Sequence, residues 1–455
     1  MEKFDVIVIG GGPGGYLAAE RAAQGGLKAA VVEKRALGGV CLNEGCVPTK
    51  TFLYCAKQYA GAKHGADYGV NIDNVTFDHA KVVSRKAKVV KTLVSGVGAT
   101  MAANGVKVFM GEAVIDGKTA DGFKVNVGAD AIYADRLIIA TGSVTAVPPV
   151  PGLKEGLASG FVMTNREILD MTQLPKSLVC IGGGVIGLEM ACYLATVGVK
   201  VTIVEMMDKI AGPTDRDICT NLMNTYKKEG MEFCLSAKVL EVGKDSVIYE
   251  DKDGKHTIAC EKVLLSAGRR AFTQGIGLES IGVLTERGAV VTDKQLRTNV
   301  PNVYAIGDCN GKSMLAHTAY REAEVAVNTI LGKKDAVNYD TIPSVIYTTP
   351  EVAACGLTKD AAKARGMNVK EVKAPMMYSG RYVAETMNGD GFVKLVYDTD
   401  KNRLVGVHIV GNYASEMIYG AAMMLETELP AEQLKKFVFP HPTVCEVIRE
   451  ALFKL

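Results

Sequence analysis

Short apolar runs recur along the chain, most of them too brief and too continuous to be amphipathic helices. Residues 4–9, 178–181 and 303–306 each read as a buried strand of a parallel sheet. The first two lead into the same arrangement. A glycine-rich turn follows, Gly10-Gly11-Gly12-Pro13-Gly14-Gly15 in one and Gly182-Gly183-Gly184-Val185-Ile186-Gly187 in the other. A helical stretch comes next, at 16–20 and at 188–197. The next apolar runs, 28–32 and 200–204, end on Glu33 and Glu205, each 23 residues after the first glycine of its turn. Each copy then closes on an apolar strand ending in glycine, 135–142 with Gly142 and 261–268 with Gly268. The pattern predicts a repeated strand–turn–helix–strand unit, one copy inserted in the other. Alternating strands and helices make both α/β with mainly parallel sheets.

From residue 341 the texture changes. Runs at 392–397 and 404–410 alternate like antiparallel strands, and 415–425 and 431–436 read as helices. This tail has no glycine fingerprint, so its predicted work is packing and contact between subunits.

A strand, a glycine turn and a helix N-terminus together seat a pyrophosphate. Gly10, Gly12 and Gly15, and again Gly182, Gly184 and Gly187, supply the tight turn and the close approach. Glu33 and Glu205 stand at the spacing of a carboxylate that binds a ribose hydroxyl pair. The strand at 303–306 runs into Gly307-Asp308, a second acid able to approach the first nucleotide. At Glu205 a carboxylate accepts from a free 2′-hydroxyl and repels a 2′-phosphate. Met206, Met207 and Asp208 follow it with no arginine pair, so NAD is expected over NADP.

Composition narrows the class. The 455 residues are 48% apolar and 22% charged, an ordinary globular mixture with room for two to four domains. A net charge of +2 offers no basic bias for nucleic acid. The first strand begins within about four residues, which leaves no room for a leader. The longest uncharged stretch, 137–153, holds three prolines and two glycines, so no membrane span is expected.

Eleven cysteines, an odd number scattered through a large chain, are not a secreted disulfide framework and fit a reducing cytoplasm. Most, including Cys180, Cys192, Cys234, Cys260 and Cys355, sit in apolar runs and read as core residues. Cys41 and Cys46 differ. They lie in Gly39-Val40-Cys41-Leu42-Asn43-Glu44-Gly45-Cys46-Val47-Pro48-Thr49-Lys50, just after the first nucleotide seat. No second pair at ligand spacing completes a metal site. A dithiol that stores two electrons and releases them as a disulfide is the reading that remains.

These motifs, with His441-Pro442-Thr443-Val444-Cys445-Glu446 near the C-terminus, resemble the flavin disulfide reductases over essentially the whole chain, and within them the dihydrolipoamide dehydrogenase branch. The resemblance implies two nested Rossmann-like FAD/NAD(P)-binding domains plus a C-terminal α+β dimerisation domain. Its implied segments are 1–145 and 272–340 for FAD, 146–271 for NAD and 341–455 for dimerisation. It implies FAD and NAD as cofactors. It implies a homodimer and, as partner, a lipoyl-bearing protein of a 2-oxo acid dehydrogenase complex or the glycine cleavage system.

The resemblance also assigns roles. Cys41 is implied to meet the substrate and Cys46 to lie against the flavin. His441, oriented by Glu446, is implied to be the base that serves the other subunit's disulfide. Lys50 and Glu189 are implied to stand beside the flavin ring. Ala113, Gly142, Asp308 and the run Met314, Leu315, Ala316 and His317 are implied to contact FAD, and Val239 and Gly268 to belong with the second nucleotide. Glutathione-like, coenzyme-A disulfide and mercuric reductases are the alternatives. The last normally carries an extra C-terminal cysteine pair, whereas this chain ends Ala451-Leu452-Phe453-Lys454-Leu455. Phe439 and Ala271-Phe272-Thr273 depart from the family pattern.

Overall fold

The computed structural model describes residues 2–455. Its first sheet runs in the order Lys107–Met110, Ala29–Glu33, Glu2–Ile9, Asp130–Ile139 and Val303–Ala305, all parallel. Phe4, Val6, Ile7, Val8 and Ile9 are all buried because helices Pro13–Gln24 and Ala316–Ile330 cover one face of this sheet, and strands Ala113–Thr119 and Gly122–Val127 with residues 276–290 cover the other, as their continuous apolar run requires. A second parallel sheet repeats the order with Glu232–Cys234, Lys200–Val204, Ser177–Ile181, Lys262–Leu265 and Val162–Met163.

The repeat runs deeper than the turns and acids. Ahead of its last long parallel strand, each unit inserts an antiparallel meander. In the first, Ala113–Thr119 and Gly122–Val127 pair onto the start of Asp130–Ile139. In the second, Lys238–Val242, Ser246–Asp251 and Gly254–Ala259 form a separate three-stranded sheet. The chain crosses between units twice, and its two crossings, Ser143–Thr145 and Arg269–Ala271, pair with each other.

The C-terminal unit is a five-stranded antiparallel sheet, ordered Ser344–Ile346, Val352–Gly356, Arg403–Val410, Phe392–Asp398 and Val369–Pro375. Helices Ala414–Glu426 and Glu446–Leu452 pack on it, and the helix expected at 431–436 is the single turn Ala431–Leu434. The alternation expected at 392–397 does not divide a wet face from a dry one: all seven residues of Phe392–Asp398 are buried. Its second face is covered by the second nucleotide unit, where Phe392 and Val410 join a core containing Ile218 and Leu222. Lys394, on that covered face, is kept ionised by Asp215 and Asp217 at 3.0 and 2.9 Å. Among the described residues, no helix is long and apolar enough to cross a membrane.

Candidate functional site

A cavity of about 1720 Å³ opens between the first unit, the second unit and the C-terminal sheet. Drug-sized ligands occupy about 300–1,000 Å³, so this one is on the scale of a dinucleotide. Of the residues singled out in the sequence, Gly10, Gly12, Glu33, Cys41, Cys46, Lys50, Ala113, Gly142, Glu189, Asp308, Met314, Leu315, Ala316 and His317 line it. Gly15 sits just beneath, in the turn itself.

The two glycine turns share one construction. A Cβ at Gly10 would sit 2.3 Å from the Ala140 carbonyl oxygen, and one at Gly15 would sit 1.8 Å from that of Gly10. In the second turn, Gly182 and Gly187 are crowded in the same way, by the Ser266 and Gly182 carbonyl oxygens at 2.5 and 2.3 Å. The acids match as well. Glu33 accepts from Gly11 N–H at 2.8 Å and Arg35 N–H at 2.7 Å, and Glu205 accepts from Gly183 and Met207 N–H, both at 2.7 Å.

Helices Pro13–Gln24 and Val185–Thr196 both start at an extended glycine with no side-chain cap, leaving their first N–H groups for an anion. The middle glycines differ. Gly12 lies under the redox segment, where a Cβ would meet Gly39 Cα at 3.8 Å, whereas one at Gly184 would meet nothing within 4 Å. Both turns fit a diphosphate, one roofed and one open. Val239 packs into the second unit's core and Gly268 has φ +111°; neither Gly182, Glu205 nor these two line the main cavity.

The redox segment is two helices, Gly39–Glu44 and Cys46–Lys63, broken at Gly45 (φ −145°, ψ −109°). Cys41 and Cys46, both thiols here, face each other across this break. The neighbouring Cys46 pushes the Cys41 thiol far up, with burial adding to it. Cys41 in turn pulls Cys46 down to about 7 against the effect of burial, and the charge of Lys50 helps. Cys46 is also the first residue of an 18-residue helix, where the positive end of the dipole favours a thiolate.

Lys50 and Glu189, nominated separately, are partners. The ammonium donates to both carboxylate oxygens at 3.0 and 2.8 Å and lies 4.4 Å from the centre of the Tyr347 ring. Tyr347 N–H donates to the same carboxylate at 2.9 Å. One residue from each of the three units therefore meets at this corner of the cavity. Asp308 accepts from Ser143 at 2.5 Å, and burial raises its carboxyl.

Several polar residues escaped the sequence reading. Glu322, fully buried, holds the Gly307-Asp308 turn through Gly307 N–H at 2.5 Å and Asn310 at 2.9 Å. Tyr16 and Tyr320 share a hydroxyl hydrogen bond of 2.5 Å. Glu44, between the two cysteines, is gripped by Arg35 and Arg166. Phe272, in the departing loop, lines the cavity with Lys34 4.1 Å from its ring centre. For Glu44 a signal was present: Thr164-x-x-Glu167 is a capping box that starts a helix at Asn165-Arg166. Cys234, expected in the core, is only partly buried and packs against its edge, with its thiol 3.3 Å from the hydroxyl of the buried Tyr249.

His441 and Glu446 form their expected pair, Nδ1 to Oε1 at 2.9 Å, with Glu446 also accepting from Thr443 N–H at 2.9 Å. Those two bonds, the Thr443 bond foremost, hold the Glu446 carboxyl below its usual range. The structure does not bring this pair to the cysteines of the same chain: neither residue lines the cavity, and the His441 side chain is 76% exposed.

The chain matches the pyridine nucleotide-disulphide oxidoreductase family over residues 4–323 and that family's dimerisation domain over 342–452. It belongs to this family. It is 39% identical to a dihydrolipoyl dehydrogenase of Bacillus subtilis over 99% of this chain and 97% of the other. It is also 39% identical to one of Geobacillus stearothermophilus, over 99% and 95%. The HOCl-induced flavoprotein disulfide reductase RclA from Escherichia coli is 27% identical, with a TM-score of 0.85 over 99% of both chains. The chain is thus a flavoprotein disulfide oxidoreductase with a dimerisation domain, and FAD and NAD are its cofactors.

Proposed function

We propose that this protein oxidises protein-bound dihydrolipoyl groups with NAD, through a disulfide between Cys41 and Cys46. The observation that carries this reading is that Cys41 and Cys46 lie together on the cavity wall, with Cys46 at a helix N-terminus beside Lys50. A thiol pair held in this way closes to a disulfide as it gives up two electrons. Kinship with dihydrolipoyl dehydrogenases over 99% of the chain supports the choice of substrate.

In the oxidised enzyme a substrate thiolate attacks the sulfur of Cys41, forming a mixed disulfide and leaving Cys46 as the thiolate. The second substrate thiol then displaces Cys41, closing the lipoyl ring and leaving Cys41 and Cys46 reduced. His441, with Nδ1 turned to Glu446, presents Nε2 to take the proton from the incoming thiol. Its exposure supports service to the disulfide of a second subunit in a homodimer. Bound FAD supplies two-electron transfer between a dithiol and a nicotinamide. Lys50 offers positive charge at the cavity wall, and Glu189 holds it there.

Glu205 supports NAD as the acceptor, and the lipoyl group is one carried by another chain, of a 2-oxo acid dehydrogenase complex or the glycine cleavage system. The FAD segments are 1–145 and 272–340, with 146–271 for NAD and 341–455 for dimer contact. A steady-state assay with dihydrolipoamide and NAD tests the reading: FAD-loaded protein that forms no NADH refutes it, and turnover with NADPH and glutathione disulfide instead would favour a glutathione-type reductase.

A further inference from the structure

Glu44 is an acid at the least expected place, two residues before Cys46 in a segment that must hold two sulfurs in register. Its side chain is 9% exposed and fully engaged. Arg166 donates through Nε at 2.6 Å and through its second guanidinium nitrogen at 3.0 Å, one to each carboxylate oxygen. Arg35 donates to the same two oxygens at 2.9 and 3.1 Å. Paired forks on one buried carboxylate fix its position and its plane.

The anchors come from different units. Arg35 follows the first ribose acid, and its own N–H is bound to Glu33. Arg166 sits in the first turn of Asn165–Asp170 in the second unit, which is locked by the Thr164/Glu167 capping box. The preceding residue, Asn165, donates to the Glu44 carbonyl at 2.7 Å. Side chain and backbone of Glu44 are both held at the residue before the break at Gly45.

We propose that Arg166 and Arg35 are positioning residues for the redox segment, gripping Glu44 so that the break at Gly45 keeps Cys41 against Cys46. The proposal rests on the redox role given to the two cysteines. Because Arg166 belongs to the nicotinamide unit, the grip also ties the geometry of the thiols to the seating of that unit.

The test is the pH titration of the long-wavelength absorbance of the half-reduced, FAD-loaded dimer, with Arg166→Gln, Arg166→Lys and Glu44→Gln. Arg166→Gln is expected to move the midpoint about one pH unit upward, a tenfold loss of Cys46 thiolate below the midpoint. It should also lower kcat while leaving the KM for NAD in place. Arg166→Lys restores part of the effect, because an ammonium supplies the charge without the fork. Adding Glu44→Gln to Arg166→Gln is expected to change little further. A wild-type midpoint in folded Arg166→Gln, or additive effects of the two changes, overturns the grip. Should Arg166→Gln not fold, Arg35→Lys gives the same reading. A wild-type enzyme with no such absorbance would instead sink the redox reading of the cysteines.

Discussion

His441 stands 2.9 Å from Glu446, yet the pair lies outside the cavity lined by the Cys41 and Cys46 of its own chain. Under the proposed mechanism, a base so placed acts on the disulfide of a second copy of the chain. Mixed dimers of Cys46→Ser and His441→Gln chains should then regain one complete site where each parent has none. Equal mixing by reversible dissociation is expected to restore about a quarter of wild-type turnover. Steady-state NADH formation after mixing measures it, and recovery no greater than the sum of the parents contradicts action across the dimer. Glu446→Gln alone should lower turnover on the order of 10²-fold.

Glu205 spends one oxygen on Gly183 and the other on Met207, so its carboxylate is fixed before any nucleotide arrives. Glu205→Ala is expected to raise the KM for NAD at least about tenfold, near 1.4 kcal/mol, with little change for dihydrolipoamide. The preference for NAD over NADP should narrow with it. Initial rates with each nucleotide check both.

The neighbouring Cys41, aided by the charge of Lys50, holds the Cys46 thiol at about 7. Its thiolate is therefore present above that pH and lost as pH falls through it. Lys50→Met removes the nearest positive charge and should shift the loss upward by about one unit. The same change leaves Glu189 without its cation in a site where that carboxylate is almost fully buried. Alkylation rates of the reduced enzyme across pH read the shift directly.

Lys394 lies between the C-terminal sheet and the second unit with three acids, Asp215, Asp217 and Glu371, the last at 3.6 Å. Desolvation opposes its charge, but the Asp217 and Asp215 bonds prevail and hold it above the usual lysine range. Lys394→Met strands buried carboxylate charge and is expected to cost about 3 kcal/mol. Thermal unfolding followed by circular dichroism should show the lower midpoint, and unfolding at the wild-type temperature would refute it.

What was legible in the chain was what short-range spacing dictates. Gly10, Gly15 and Glu33 lie within one strand–turn–helix–strand unit, so their contacts follow from that unit's geometry, and a second copy at Gly182 to Glu205 removes the ambiguity of a single motif. Lys50 and Glu189 could each be nominated, but 139 residues separate them and nothing local makes them partners. Glu44 and Arg166 are 122 apart, and only the docking of two units joins them. The alternation at 392–397 reads as a half-wet strand because Lys394 and Asp398 look like surface residues, until the second unit covers them. His441 could be named from its motif, whereas its distance from the thiols of its own chain is a property of the tertiary fold alone.

The contact of Gly39 with Gly12 has a practical outcome. The first diphosphate turn is closed over by the segment that carries the thiols, and Gly38 N–H is pinned to the Gly11 carbonyl at 2.8 Å. On the proposed seating, a nucleotide there is released more slowly, as that segment lifts, than one at Gly184, where nothing lies within 4 Å of the turn. The protein should stay yellow through dialysis and shed its pyridine nucleotide within the mixing time, making the one a permanent tenant and the other a visitor.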